Sequence, residues 1–215
     1  MDPDDSKSPR PGGNTKVTRA DWLTVAMDIL VSDGVAEVKV LPISERLGVS
    51  RSSFYWYFKS RKDLLDALLK EWESGNTGAL IAHAEMPAPT ITASVCNLFH
   101  CFLDPSLFNH QLDFAVREWA RREGHVRRVI DRSDAARCAA IAAMFERHGF
   151  APYEADARAR ILYFMQIGYY ALDLAEPLDE RLSRIDGYIL GFTGQAARAE
   201  ETAKLRAHAE ALKER

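Results

Sequence analysis

Residues 47–65 read Leu47-Gly48-Val49-Ser50-Arg51-Ser52-Ser53-Phe54-Tyr55-Trp56-Tyr57-Phe58-Lys59-Ser60-Arg61-Lys62-Asp63-Leu64-Leu65, and this stretch decides the fold. Gly48 gives a permissive backbone at a tight turn, and Ser50 is a good helix N-cap. Arg51, Ser52 and Ser53 form a polar first turn whose free N–H groups favour an anion such as phosphate. Phe54 and Phe58 lie four apart and face a core with Leu47, which leaves Arg51, Ser52, Tyr55 and Tyr57 on the other sides. Three consecutive aromatics, Tyr55, Trp56 and Tyr57, cannot all point inward from a helix, so at least one lies on the surface.

The flanks extend this into a three-helix unit. Ile43 and Leu47 repeat at helical spacing, and Pro42 fits the first turn of a short scaffold helix, so the helix-turn-helix spans about 40–59. Upstream, Thr18 and Asp21 form a capping-box-like start. Leu23, Ala26, Met27 and Leu30 then give an apolar stripe that Gly34 ends. Downstream, Ser60 and Asp63 cap a helix carrying Leu64, Leu65, Leu68, Leu69 and Trp72.

From about Val17 to Leu69 the chain resembles the tetracycline-repressor (TetR) family of bacterial transcriptional regulators. The resemblance rests on Ile43-Ser44, Leu47-Gly48-Val49-Ser50, Phe54-Tyr55-Trp56-Tyr57-Phe58 and Lys59-Ser60-Arg61-Lys62-Asp63-Leu64, in order and spacing. It implies that Arg51 and Ser52 reach base edges, that Ser53, Tyr55, Tyr57 and Arg61 touch the phosphate backbone, and that Lys59 adds to the DNA-binding set. Leu41 departs from the pattern, because the family often has a polar or basic DNA contact there. Ser44 replaces a common Ala at the helix crossing.

The 215 residues carry a formal net charge of −3, but the local charge is what bears on a nucleic-acid partner. Residues 39–62 hold six basic side chains against Glu45 alone, a net of +5, so the remainder carries −8. This asymmetry concentrates attraction for phosphate at one end. Cys96, Cys101 and Cys138 form no C-x-x-C pair and imply no disulfide framework, which fits a reducing cytoplasm. No apolar run approaches a membrane span, and residues 1–16 are too polar for a signal peptide.

The expected fold class is all-α. Residues 1–16 read as a disordered arm, 17–75 as the DNA-binding domain, 76–200 as a helical effector-binding and dimerisation domain, and 201–215 as a charged, solvated tail. Helices are expected through 93–103, 113–122, 125–148, 152–175 and 178–198. The last two suit a subunit interface. Gly168, Ile185, Gly187, Ile189, Gly191 and Phe192 are its candidate residues, and the resemblance implies a dimer built from the last two long helices of each subunit. The family's inducer-holding C-terminal domain likewise implies an effector site. Phe99, His100, Phe114, Trp119, Met144, Tyr163 and Gln166 are the candidate lining.

Enzyme readings find little support. Cys96, His100 and Cys101 lie within one and a half helical turns but do not close a zinc site, and no H-E-x-x-H, G-x-S-x-G or Walker loop occurs. No catalytic residue, metal or cofactor is expected. The sequence therefore points to a cytoplasmic homodimer that binds a palindromic double-stranded operator and is released by a small molecule. The alternatives are a helical enzyme or carrier with an incidental helix-turn-helix, or an activator without an effector.

Overall fold

The computed structural model describes residues 17–172, 174 and 176–213. The expected arm at 1–16 lies outside them. Among the described residues every regular element is helical.

Helix α1 (Arg19–Ser32) starts as its capping box requires. The Thr18 hydroxyl accepts from Asp21 N–H at 3.3 Å, and the Asp21 carboxylate accepts from Thr18 N–H at 2.7 Å. Its buried face is Trp22, Leu23, Ala26, Ile29 and Leu30. After Gly34, at φ +81°, comes α2 (Val40–Arg46). The next segment, expected as an ordinary helix, is a tighter 3-10 helix over Arg51–Trp56. Helix α3 (Arg61–Trp72) opens on Ser60, whose hydroxyl accepts from Asp63 N–H at 3.2 Å.

Helix α3 runs on past Trp72 towards Ala84, as the lack of a breaker before Pro87 and Pro89 leads one to expect. It passes through a π-helical turn, Glu73–Thr77, into α4 (Gly78–Glu85). The low helix propensity of Ser74-Gly75-Asn76-Thr77 tolerates the wider turn, which leaves Asn76 and Thr77 buried. Helices α5 (Ile91–Leu103), α6 (His110–Ala120), α7 (Gly124–Arg147) and α8 (Pro152–Ala171) follow.

Three sequence expectations need correction. The helix expected over 178–198 is two, α9 (Leu178–Ser183) and α10 (Ile185–Thr193), and α10 stops at Gly194 in the left-handed conformation. The supposed solvated tail is α11 (Ala199–Lys213), which packs on α5 and buries Thr202, Leu205 and Ala209. The boundary at residue 75 is not a boundary in packing. Leu112, Val116 and Trp119 of α6, with Val126 and Ile130 of α7, join Trp22, Phe54, Phe58, Leu68 and Trp72 in one hydrophobic cluster. A second cluster fills the body with α5, α7, α8 and α10 side chains such as Phe99, Ile141, Met144, Leu162 and Ile189.

Candidate nucleic-acid interface and its junction with the body

The turn at 50–58 is built by burying two phenylalanines. Phe54 is fully buried and Phe58 nearly so. Phe54 meets Trp22 edge-on at 5.3 Å and stacks on Phe58 at 5.4 Å. With those two rings fixed, Arg51, Ser52, Tyr55, Trp56 and Lys59 are exposed. Trp56, at 75 % exposed, was not among the candidate contacts. The signal was present in the run of three aromatics, but spacing alone did not say which of them turns outward. Leu41 is also exposed beside the turn.

Ser50 occupies the N-cap position with extended backbone, but its side chain makes no capping bond. Its hydroxyl pairs instead with that of Ser52 at 2.8 Å, and the Ser53 hydroxyl donates to the Ser50 carbonyl at 2.7 Å. Two residues expected to reach phosphate are engaged within the chain. The Tyr57 hydroxyl donates to the Val17 carbonyl at 2.6 Å. The Arg61 guanidinium donates to the carbonyls of Val38 and Val35. Both side chains therefore brace the turn, Tyr57 against the start of α1 and Arg61 against the loop that follows α1.

Beneath this unit lies a buried ionic junction that sequence reasoning missed. Arg137 of α7 is fully buried. It donates to Asp113 of α6 at 3.0 Å, to the Tyr163 hydroxyl of α8 at 3.0 Å and to Thr77 of the π-helical turn at 3.0 Å. Its guanidinium also lies over the Trp72 and Phe108 rings. Trp72 N–H donates to the same Asp113 carboxylate at 2.9 Å. Arg117 bridges Asp113 at 2.8 Å and grips Asp134 with two bonds of 2.9 and 2.7 Å, and Tyr163 donates to Asp134 at 2.6 Å. Burial pushes the Asp113 carboxyl up, but the two guanidiniums outweigh it and hold it below the ordinary carboxylate range. Burial pushes the Tyr163 phenol up, which keeps it a neutral donor.

The seven candidate effector residues do not surround one cavity. Phe99, Met144 and Tyr163 belong to the packed body cluster, and the Tyr163 hydroxyl is committed to the ionic junction. Gln166 is buried and accepts from Arg181 at 3.1 Å. His100 borders a cavity of about 290 Å³ under α11. Phe114 and Trp119 border a separate groove of about 600 Å³. A sequence gives inward faces but not which of them meet.

The candidate interface residues also divide. Ile185, Ile189 and Phe192 are buried in their own chain, so that stripe is core. Gly187 and Gly191 are exposed and Gly168 half-buried, and a side-chain carbon placed on any of the three meets no other helix within 4 Å. Ile161, Phe164 and Leu190 are exposed on the same two helices, α8 and α10.

An all-helical chain whose amino-terminal unit offers an exposed polar turn on a fixed aromatic core is a helix-turn-helix protein. Residues 23–68 match the family of bacterial regulatory proteins, tetR family. Over those residues the chain is similar to the amino-terminal domain of that family. It is 30 % identical over 100 residues to the HTH-type transcriptional regulator EthR of Mycolicibacterium smegmatis, covering 45 % of each chain. It is 37 % identical over 54 residues to the class A tetracycline repressor protein from transposon 1721 of Escherichia coli, covering 25 % of each. The matched regions are thus less than half of these relatives. Fold similarity runs further. Mycobacterium smegmatis AmtR aligns over 94 % of this chain and 97 % of its own with a TM-score of 0.57 and 18 % identity. Salmonella enterica GusR aligns over 90 % and 94 % with a TM-score of 0.57 and 15 % identity.

Proposed function

We propose that this chain is a sequence-specific DNA-binding regulator of transcription, acting as a homodimeric repressor that a small molecule releases from its operator. The observation that carries the reading is the turn at 50–58, where buried Phe54 and Phe58 force Arg51 and Ser52 outward at the start of a short helix in a basic segment. In this reading the Arg51 guanidinium meets a guanine edge in a bidentate fashion, while Ser53, Tyr55 and Lys59 contact the phosphate backbone. Trp56 joins them as an exposed aromatic beside the helix.

Dimerisation supplies the second reading head. The outer face of α8 and α10 combines Gly168, Gly187 and Gly191 with exposed Ile161, Phe164 and Leu190, a surface that allows close helix approach and leaves apolar area to bury. Release follows from differential affinity, since an effector shifts the equilibrium only by favouring the arrangement that fits DNA less well.

The test is selection from a random duplex library followed by sedimentation. Enrichment of a two-fold symmetric site bound by a dimer is expected, and Gly191→Trp should give monomers that bind that site much more weakly. A monomer that binds the palindrome tightly, or a library that enriches no sequence, contradicts the reading.

A further inference from the structure

The geometry points to a small-molecule site outside the packed body, in the groove between the DNA-binding unit and α6, shaped for a flat aromatic compound carrying one hydrogen-bond acceptor and one amine. This inference rests on the reading of the chain as a DNA-binding regulator. The groove, of about 600 Å³, lies between the last turn of α1 with the loop 33–36 on one side and α6 on the other, and the end of α8 borders it. That volume suits a molecule of two or three rings.

Three observations define the occupant. The lining mixes polar groups with apolar and ring surfaces: Leu30 and Phe114 contribute to it, and His110 stacks on Tyr170 at 4.8 Å with 13° between the rings. Trp119 forms part of the wall, is 2 % exposed, and its indole N–H has no acceptor among the described residues. A buried donor without a partner is costly, and an acceptor on a bound molecule removes that cost. Asp33 and Glu118 line the groove from its two sides, against Arg122 as the cationic lining residue. Each carboxylate has a surface partner, Arg46 at 3.4 Å and Arg121 at 3.1 Å, and still accepts from an amine.

Occupancy of this groove acts on the reading turn without passing through the body core. The loop that forms its wall holds the Val35 carbonyl that Arg61 grips, and Asp33 is paired with Arg46 at the end of α2. A molecule wedged against α6 therefore pushes on the loop that braces both halves of the helix-turn-helix. By reciprocity, operator DNA weakens binding in the groove by the same factor that the compound weakens DNA binding, typically about 5 to 150-fold.

The experiment uses the full-length protein labelled with nitrogen-15 and 6-aminoquinoline as the probe, a neutral two-ring compound with a ring-nitrogen acceptor and an amine. Indole N–H resonances are followed in an NMR titration, with Trp119→Phe assigning the relevant signal. A saturable shift of the Trp119 resonance by about 1 mM probe is expected, together with its weakening at least about 5-fold by selected operator DNA. Gln111→Trp, which fills the groove from an exposed position, should abolish the shift. Should that variant not fold, Phe114→Ala should weaken the shift by removing a wall. A Trp119 signal that stays still, or a response confined to exposed Trp56, overturns the site, and a Trp119 shift that operator DNA leaves unchanged overturns the coupling. A chain that binds the probe at Trp119 but no DNA supports the site and removes the regulator reading. A chain that binds operator but leaves Trp119 untouched does the reverse.

Discussion

The two ends of α3 are held by opposite physics. At its start, the reading turn sits on rings and aliphatic groups, Trp22, Phe54, Phe58 and Leu64, each no more than 2 % exposed. At its end, Trp72 leans on a buried network of two guanidiniums, two carboxylates and a phenol. Apolar packing is non-directional and tolerates exchange of similar volumes, whereas a buried ion network is satisfied in one geometry only. The reading end can therefore vary its outward residues on a forgiving base. The junction fixes the angles among α3, α6, α7 and α8, and so couples the amino-terminal unit to the body.

The contrast is broken most severely at the junction. Arg137→Ala leaves Asp113 buried with one fewer cation and should cost about 3 to 5 kcal/mol of stability in urea unfolding. Replacing the partners together, Arg137→Met with Asp113→Leu, should restore only part of that loss, because the buried charges go but Trp72 N–H and Arg117 lose Asp113 as acceptor. If the single variant unfolds like wild type, the network contributes nothing to stability and the comparison fails. A smaller effect is expected at the other end, where Phe54→Leu shrinks a buried side chain and loses its ring contacts with Trp22 and Phe58, and should cost about 1 to 3 kcal/mol.

Much of the reading end was legible in the sequence because its signals are local. The Thr18 and Ser60 caps, the Gly34 stop and the Phe54/Phe58 pair act within four residues of themselves, and each occurs in the structure. The junction was not legible. Its members come from positions 72, 77, 113, 117, 134, 137 and 163, and Arg137 on a helical stripe looks the same whether it meets water or Asp113. The same limit hid α11. A run rich in Ala, Glu, Lys and Arg gives a helix but not its docking, which depends on Leu205 and Ala209 finding α5 and on Glu201 accepting from Thr90 and Thr92, both at 2.6 Å.

That docked helix supplies a milder titratable site. The His100 and His208 rings stack at 4.6 Å, and burial, with repulsion from His208 and His83, lowers the His100 pKa from 6.5 to about 4. The folded chain then binds fewer protons than the unfolded chain between those values, so stability is complete above pH 6.5 and declines as pH falls towards 4. His100→Phe should flatten the decline over that window in thermal unfolding at stepped pH. The Asp113 contribution has a different range, being present above the ordinary value of 3.8 and lost as pH falls through its lower folded value. Smallest of all, Thr18→Ala removes a cap on α1 and should cost about 1 kcal/mol by the same unfolding assay.

The most direct test of the central claim compares Arg51→Ala with wild type on a selected operator and on a scrambled duplex, by fluorescence anisotropy across a salt series. Arg51 touches nothing in the core, so stability should not change. Affinity for the operator should fall by about 1 to 3 kcal/mol, and preference should relax at one base pair in each half-site. Unchanged affinity and unchanged base preference in Arg51→Ala would contradict the assignment of this turn as the element that reads DNA.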